Sequence, residues 1–380
     1  MSHPPRRPTI TFLLPALTMG GAEAQLLSVL ERDPSALARY SVRVLIITSQ
    51  RHPLIDARLA ALGIPVDVID RESLSFPSFL VTLVRHFRSS APSAVHVFLA
   101  GSTSTWGRLA ALLAGVRVII YSDLSLNPTT TRAQRLLTPL LHRTTKRFLP
   151  NARAIAKRLE REGASPERIV LLRNGVELGR FTPEGPDLRS TLGVAPGARV
   201  VGFLGMLRPA KRPDLFFSSV LTLPEGQRPD LLLMAGDGAL RSDVERQIAE
   251  DGWLRDHARL LGVVGDTPAF LRTLDLLVLT SDTEGLPNAV LEAMSVGVPC
   301  VATAVSDVPE LLEGVGLVVP AGDAGAIGDA IAQALSNSES AWAPRLKAGR
   351  TRIEREYDMN LAARRFWRAH DELLLPRDAG

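Results

Sequence analysis

The sequence predicts an α/β protein built from two Rossmann-like, doubly wound halves facing across a cleft. Three observations carry this. Short runs rich in Val, Ile and Leu alternate with longer helical patterns along the 380 residues, and such alternation means βαβ units and parallel sheets. The strand runs are almost continuously apolar, as strands covered on both faces must be. The alternation breaks once, at Asn174–Gly197, in a stretch rich in Gly and Pro that holds no strand-length run, which marks a junction.

In order along the first half, TITFLLP, SVRVLIITS, IPVDVI, AVHVFLA and VRVIIYS read as strands. In the second half RVVGFLGML, DLLLMAGDG, ARLLGVVG, LDLLVLTS, VPCVAT and GLVVP do so. Between them lie helix-length segments such as Ala22–Leu30, Phe79–Arg88 and Leu240–Asp251. The expected domains are residues 1–185, residues 186–356, and a terminal amphipathic helix over 357–380 that packs back on the first domain.

A hydrophobic content of 46% with 22% charged residues belongs to a globular chain. No apolar run approaches the length of a bilayer span, and the opening Met-Ser-His-Pro-Pro-Arg-Arg shows no secretory pattern. The expected location is cytoplasmic, with peripheral attachment to the inner membrane face as an option. Cys300 is the only cysteine. It excludes an internal disulfide, and its apolar neighbours make it a buried thiol. Residues 1–180 carry 24 Lys+Arg against 12 Asp+Glu, so the excess positive charge lies in the first half. That excess suits an anionic ligand or surface. Nucleic acid is disfavoured, because aromatics are 5% of the chain and no basic stretch is interleaved with stacking rings.

In doubly wound sheets ligands sit beyond the carboxyl ends of the strands, so the loops leaving the strands matter most. "SDTEGLPNAVLEAM" opens a helix after LDLLVLT. Gly285 lets a ligand approach the backbone, Pro287 suits the first helical position, and N–H groups at Leu286, Asn288 and Ala289 would point out of the helix start, a natural anion site. Glu284 precedes this helix and Glu292 lies on it. Two carboxylates so placed can reach opposite ends of one elongated ligand, and carboxylates accept hydrogen bonds from vicinal hydroxyls, which sugars and ribose carry. "GMLRPAKRP" crowds Arg208, Lys211 and Arg212 at another strand exit, where cations serve phosphate chemistry. The Met19–Glu23 turn offers a bare backbone at Gly20 and Gly21.

Other chemistries are disfavoured. A dinucleotide fingerprint needs G-x-G-x-x-G and an acid at the end of the second strand; here there is Gly-Gly and "ITSQ". Seven scattered histidines and one cysteine form no metal motif. His96 reads as a satisfied strand histidine. Asp123, at a strand exit beside the cleft, is a candidate polar contact or a turn cap, and Gly236-Asp237-Gly238 reads equally as a phosphate contact or a plain turn.

With these residues in view, the chain resembles the retaining family-4 glycosyltransferases of the GT-B fold. The resemblance covers nearly the whole sequence. It is strongest in RNGVELGRF, in Gly202–Asp214 and in Asp275–Glu310, which holds the E-x7-E pair Glu284 and Glu292. It implies that Glu284 contacts the donor sugar, Glu292 the ribose, the Gly285, Leu286, Pro287 and Asn288 backbone the sugar or diphosphate, and Val263 and Val264 the base. Gly20 and Gly21 would cover the phosphates, with Lys211 and Arg208 as the cations. The chain departs from the family at Met206, where an Arg is usual, and at Asp123, roughly where many members carry a His.

The resemblance implies transfer from a nucleotide sugar, UDP-linked by default, to a glycan, lipid-linked or small-molecule hydroxyl without a metal or other cofactor. A sugar-nucleotide epimerase or phosphorylase on the same fold, and a non-catalytic glycan- or nucleotide-binding module, are the alternatives. Arg132, Arg135, Arg143, Lys146 and Arg147 surround four leucines in "TRAQRLLTPLLHRTTKRFLP". Such a basic amphipathic segment suits either an anionic membrane surface or an ordinary helix packing its leucines on the sheet.

Overall fold

The computed structural model describes residues 7–18, 20–99, 101–126 and 130–375; Met19 of the glycine turn lies outside them. Residues 1–175 with 359–380 form one compact unit and residues 176–358 the other.

The first unit holds β1 (Thr9–Leu14), β2 (Ser41–Ile46), β3 (Val66–Val68), β4 (Ala94–Phe98), β5 (Val118–Ser122) and β6 (Arg147–Phe148). The second holds β7 (Val200–Leu204), β8 (Leu231–Ala235), β9 (Ala258–Gly262), β10 (Leu276–Leu279), β11 (Cys300–Thr303) and β12 (Leu317–Val319). Eleven of these lie within the runs read as strands from sequence. β6 was missed because a two-residue strand leaves no periodic signal.

The sheets run β3-β2-β1-β4-β5-β6 and β12-β11-β10-β7-β8-β9, and their ladders are parallel. Each order reverses direction once, between β1 and β4 and between β7 and β10. These are the switch points where helices pass to opposite faces and leave a crevice.

Alternate residues of each strand feed opposite cores, as the period of two requires. Ile10, Phe12 and Leu14 pack on one face of the first sheet and Leu13 on the other. Val201 and Phe203 pack on one face of the second sheet and Val200 on the other. Each fully buried side chain of this kind contributes about 1.5–3 kcal/mol.

The chain enters the second unit ten residues before the expected boundary. Phe181 is buried in the second unit's core. Its carbonyl accepts bonds from Ser295 Oγ at 2.8 Å and an Arg350 guanidinium nitrogen at 2.5 Å. Residues 176–185 are thus tied to the second unit by an aromatic anchor that the Gly- and Pro-rich composition disguised.

The terminal helix Met359–Leu374 belongs to the first unit. Met359, Ala362, Ala363, Phe366 and Trp367 join the core containing β1, and Trp367 stacks on Tyr40 with centroids 5.7 Å apart. His370 lies against His96 of β4, Nε2 to Nδ1 at 3.1 Å, and His96 Nε2 meets Ser122 Oγ at 2.8 Å. His96 is thus the satisfied strand histidine read from sequence. Burial lowers the pKa of both rings, His370 to about 4. A histidine buried as the neutral base favours the fold only while unprotonated, so the pair's contribution is complete above 6.5 and fades as pH falls towards about 4. The drop in melting temperature between pH 6.5 and 4 should be smaller in His370→Phe than in the wild type; equal drops would show that this pair does not set the acid limit.

Candidate functional site

In the second unit, β7 and β10 run side by side, so the loops leaving them emerge together. Hydrogen bonds lock the loops to each other. Thr280 Oγ1 donates to the Lys211 and Arg212 carbonyls at 2.9 and 2.8 Å, and the Asp282 amide donates to the Ala210 carbonyl at 3.0 Å. As a result Lys211, on the short helical turn Pro209–Lys211, ion-pairs with Glu284. Ser281 Oγ donates to the same carboxylate oxygen at 2.6 Å. Both charged side chains are largely buried, where an ion pair is held by geometry and added hydrogen bonds.

The other cations of the loop separate. Arg212 adopts a left-handed backbone, φ 49°, and binds Asp214 at 2.9 Å and Asp282 at 3.4 Å. Arg208 is exposed and has no side-chain hydrogen bond or ion pair among the described residues. Met206, where the resemblance expects an arginine, is 42% exposed.

Gly236 and Gly238 have φ values of 141° and 156°. Added Cβ atoms would drive into the Gly205 carbonyl and the Leu207 backbone. The Leu207 amide also donates to the Asp237 carbonyl at 2.9 Å. These glycines bring the β8 exit directly against the loop that carries Lys211, a packing reason for both of them.

The helix after β10 spans Asn288–Val296 with Pro287 as its N-cap, so the helix begins one residue later than the sequence suggests. Leu286 is buried in the core, and Leu286 and Asn288 already have interaction partners within the fold. Glu292 is the fifth residue of this helix. It has no side-chain hydrogen bond or ion pair among the described residues, in contrast to Glu284. Part of its surface remains open to solvent, yet dense protein surroundings push its carboxyl up to about 8; nearby Arg180 opposes the rise and Glu177 adds to it. Beyond β9, an edge strand two places from β7, Val263 is 56% exposed and Val264 is half-buried against the core. Strand spacing puts that exit about 10 Å from the β7 exit.

In the first unit Gly20 caps the helix Gly21–Arg32. Its turn is not bare. Glu23 is buried, accepts from Thr18 Oγ1 at 3.2 Å and lies where a Cβ on Gly20 would sit. An acid thus occupies the helix start that the sequence offered to a phosphate. Asp123 is also buried. Tyr121 donates to it at 2.7 Å, the Ser125 amide donates to it at 3.2 Å, and Arg158 ion-pairs with it. It is therefore both a turn cap and one half of an ion pair. Around it stand Arg108, His142 and Arg158, none of which sequence reasoning selected. The available signal was Arg108 itself, a lone charge in the helix STSTWGRLAALL.

Among the basic residues near the first unit's leucines, Arg132, Arg135, Arg143 and Lys146 are exposed. Arg147 instead pairs with Glu372 at 3.0 Å. Leu136 and Leu140 are 82% and 47% exposed, whereas Leu141 is buried. The helix therefore does not pack all its leucines on the sheet. Among the described residues no helix is long and apolar enough to cross a membrane. Cys300 is buried and its thiol is pushed up to about 12, as an inert core thiol requires.

Comparison with known proteins matches residues 19–180 to Glycosyltransferase Family 4 and residues 198–337 to Glycosyl transferases group 1. An Escherichia coli UDP-Gal:alpha-D-GlcNAc-diphosphoundecaprenol alpha-1,3-galactosyltransferase is 29% identical over 239 residues, 59% of this chain and 61% of that protein. The lipopolysaccharide core mannosyltransferase LpsB of Rhizobium meliloti is 31% identical over 225 residues, 55% and 62% of the two chains. The matched stretch thus spans about three fifths of the length of either relative. Among solved structures, Anabaena HepE in complex with UDP and glucose superposes with a TM-score of 0.80 at 20% identity, covering 96% of this chain and all of that one. On two matching models that together take in most of its length, and two six-stranded parallel sheets of the matching fold, the chain belongs to the family-4-type glycosyltransferases of the GT-B fold.

Proposed function

We propose that this protein transfers a sugar from a nucleoside-diphosphate sugar, with UDP as the favoured nucleotide, to a hydroxyl acceptor with retention of configuration. The observation that carries the reading is the Lys211–Glu284 pair at the β7–β10 switch point, with the unpartnered Glu292 on the helix beyond it. UDP is favoured because HepE was solved with UDP and with UDP-glucose and the Escherichia coli relative is named for UDP-Gal.

In this reading the diphosphate lies over the helix start at Gly285–Asn288. Lys211 and Arg208 face the charge that grows on it as the anomeric bond breaks, and stabilise that charge without a metal ion. Glu284 and Glu292 accept hydrogen bonds from sugar and ribose hydroxyls, and Val263 and Val264 meet the base. The acceptor hydroxyl attacks from the face the diphosphate leaves, which takes up its proton. The acceptor binds the first unit, near Asp123. The exposed Arg132, Arg135, Arg143 and Lys146, with Leu136 and Leu140 beside them, rest on an anionic membrane surface.

Lys211→Ala and Glu284→Ala should each lower turnover about 10²–10³-fold with unchanged circular dichroism; near wild-type turnover in a folded variant would sink the assignment. Glu292 has a raised folded pKa, so its contribution to stability is present below the unfolded value of 4.5 and is lost as pH rises towards about 8. Glu292→Gln should therefore melt higher than the wild type at pH 8 and less so at pH 4.5, while binding UDP more weakly; unchanged UDP affinity would remove Glu292 from the donor site. In sedimentation with anionic vesicles, the protein should pellet at low salt and stay in solution at high salt, and binding indifferent to salt would count against the membrane contact.

A further inference from the structure

A second concave site lies wholly inside the first unit. A cavity of about 450 Å³ opens among the helices Ser102–Leu113, Arg132–Thr144 and Arg153–Arg161 and the β5 exit. That is the size of a small-ligand pocket. Its charged walls are Arg108, Arg135 and Arg158 against Asp123 and Glu162, three guanidinium groups to two carboxylates. The carboxylates are both taken by Arg158.

Arg108 is therefore left without a contacting counter-ion; burial disfavours its charge, and Asp123 and Glu162 favour it only through space. It is 3% exposed and makes no ion pair among the described residues. It is held by the Ser104 carbonyl at 3.0 Å, Thr145 Oγ1 at 3.5 Å and the face of Tyr121 at 4.3 Å. Burying a guanidinium whose direct contacts are all neutral is costly, and an anion in the cavity would offset that cost. Arg135 on the outer wall is exposed and likewise unpaired among the described residues. Two further buried atoms on the wall lack hydrogen-bond partners, Arg158 Nε, a donor, and His142 Nδ1. His142 is 2% exposed and its pKa is held down to about 3, chiefly by burial and then by the charge of Arg108. The neutral ring can present Nδ1 as an acceptor for a hydroxyl.

We propose that this cavity binds a phosphate monoester of a hydroxylated or lipid alcohol, with the phosphate between Arg108 and Arg135 and, in an ester that carries one, a hydroxyl on His142 Nδ1. The arginines match phosphate because each is a permanent fork of donors. The inference rests on the transferase reading in one respect only: in that reading the bound ester is the acceptor, which names the acceptor as phosphorylated.

The test is isothermal titration of the full chain with glucose 1-phosphate, free glucose and farnesyl phosphate, with UDP titrated in parallel. A phosphate ester should saturate one site, and glucose should bind at least tenfold more weakly. Saturation by glucose 1-phosphate points to a soluble sugar phosphate, and saturation by farnesyl phosphate alone to a lipid-borne group; either supports the cavity. Arg108→Gln should weaken the ester about tenfold or more, the scale of a lost charged hydrogen bond. Arg135→Gln, at an exposed position that cannot disturb the core, should act in the same direction. No ester binding to the wild type, or equal binding to the wild type and Arg135→Gln, overturns the proposal. UDP binding reports on the second unit: if UDP binds and the ester does not, only the cavity assignment fails, and if the ester binds and UDP does not, only the donor reading fails.

Discussion

The geometry of the candidate site in the second unit depends on one constraint, the side-by-side exit of β7 and β10 from the second sheet. Parallel pairing brings the two carboxyl ends level, and the Thr280 hydroxyl then ties the Lys211 and Arg212 carbonyls to the β10 exit. Lys211 and Glu284, 73 residues apart, meet only because of this. Without the tie, Lys211 would be one more solvated cation on a flexible loop, where an ion pair contributes little. Gly236 and Gly238 belong to the same constraint, since only a residue without Cβ lets the β8 exit lie against the Gly205–Leu207 backbone.

The two carboxylates of the E-x7-E pair are treated differently. Glu284 receives a lysine and a serine from the protein. Glu292 receives neither and is instead held towards its neutral form by its surroundings. A carboxylate set in dense protein surroundings with no protein partner is a cost to the fold, and such costs concentrate where a ligand completes the structure. In the first unit Arg108, of opposite charge, is held by neutral partners without a contacting carboxylate. Each site leaves one charge without a contacting counter-ion, and each suits a ligand of complementary chemistry.

The terminal helix shows how little of a polar network can be read along the chain. Its amphipathic pattern announces a helix. The contact of His370 with His96, across 274 residues, and the bond His96 makes in turn to Ser122 are properties of the folded core alone. His96 looked unremarkable in its strand, and so did its role in attaching the last helix to the first sheet.

The sequence by itself determined the α/β class, eleven of the strands, and the loops that leave them, because a period of two, a period of 3.6 and Gly or Pro breaks are local properties. It also determined Lys211, Glu284 and Glu292 as candidates, since their spacing around glycines and helix starts is local. Tertiary structure alone decided that Arg212 is spent on Asp214 and Asp282 while Arg208 is not, and that Glu23 fills the first glycine turn. It likewise decided that Phe181 draws residues 176–185 into the second unit, and that Arg108, Arg135, Arg158 and His142 enclose one cavity. The physical reason is common to all of these. A charge's partner is chosen by proximity in space, and residues from three helices and a strand exit become neighbours only after the sheet has set the helices in place.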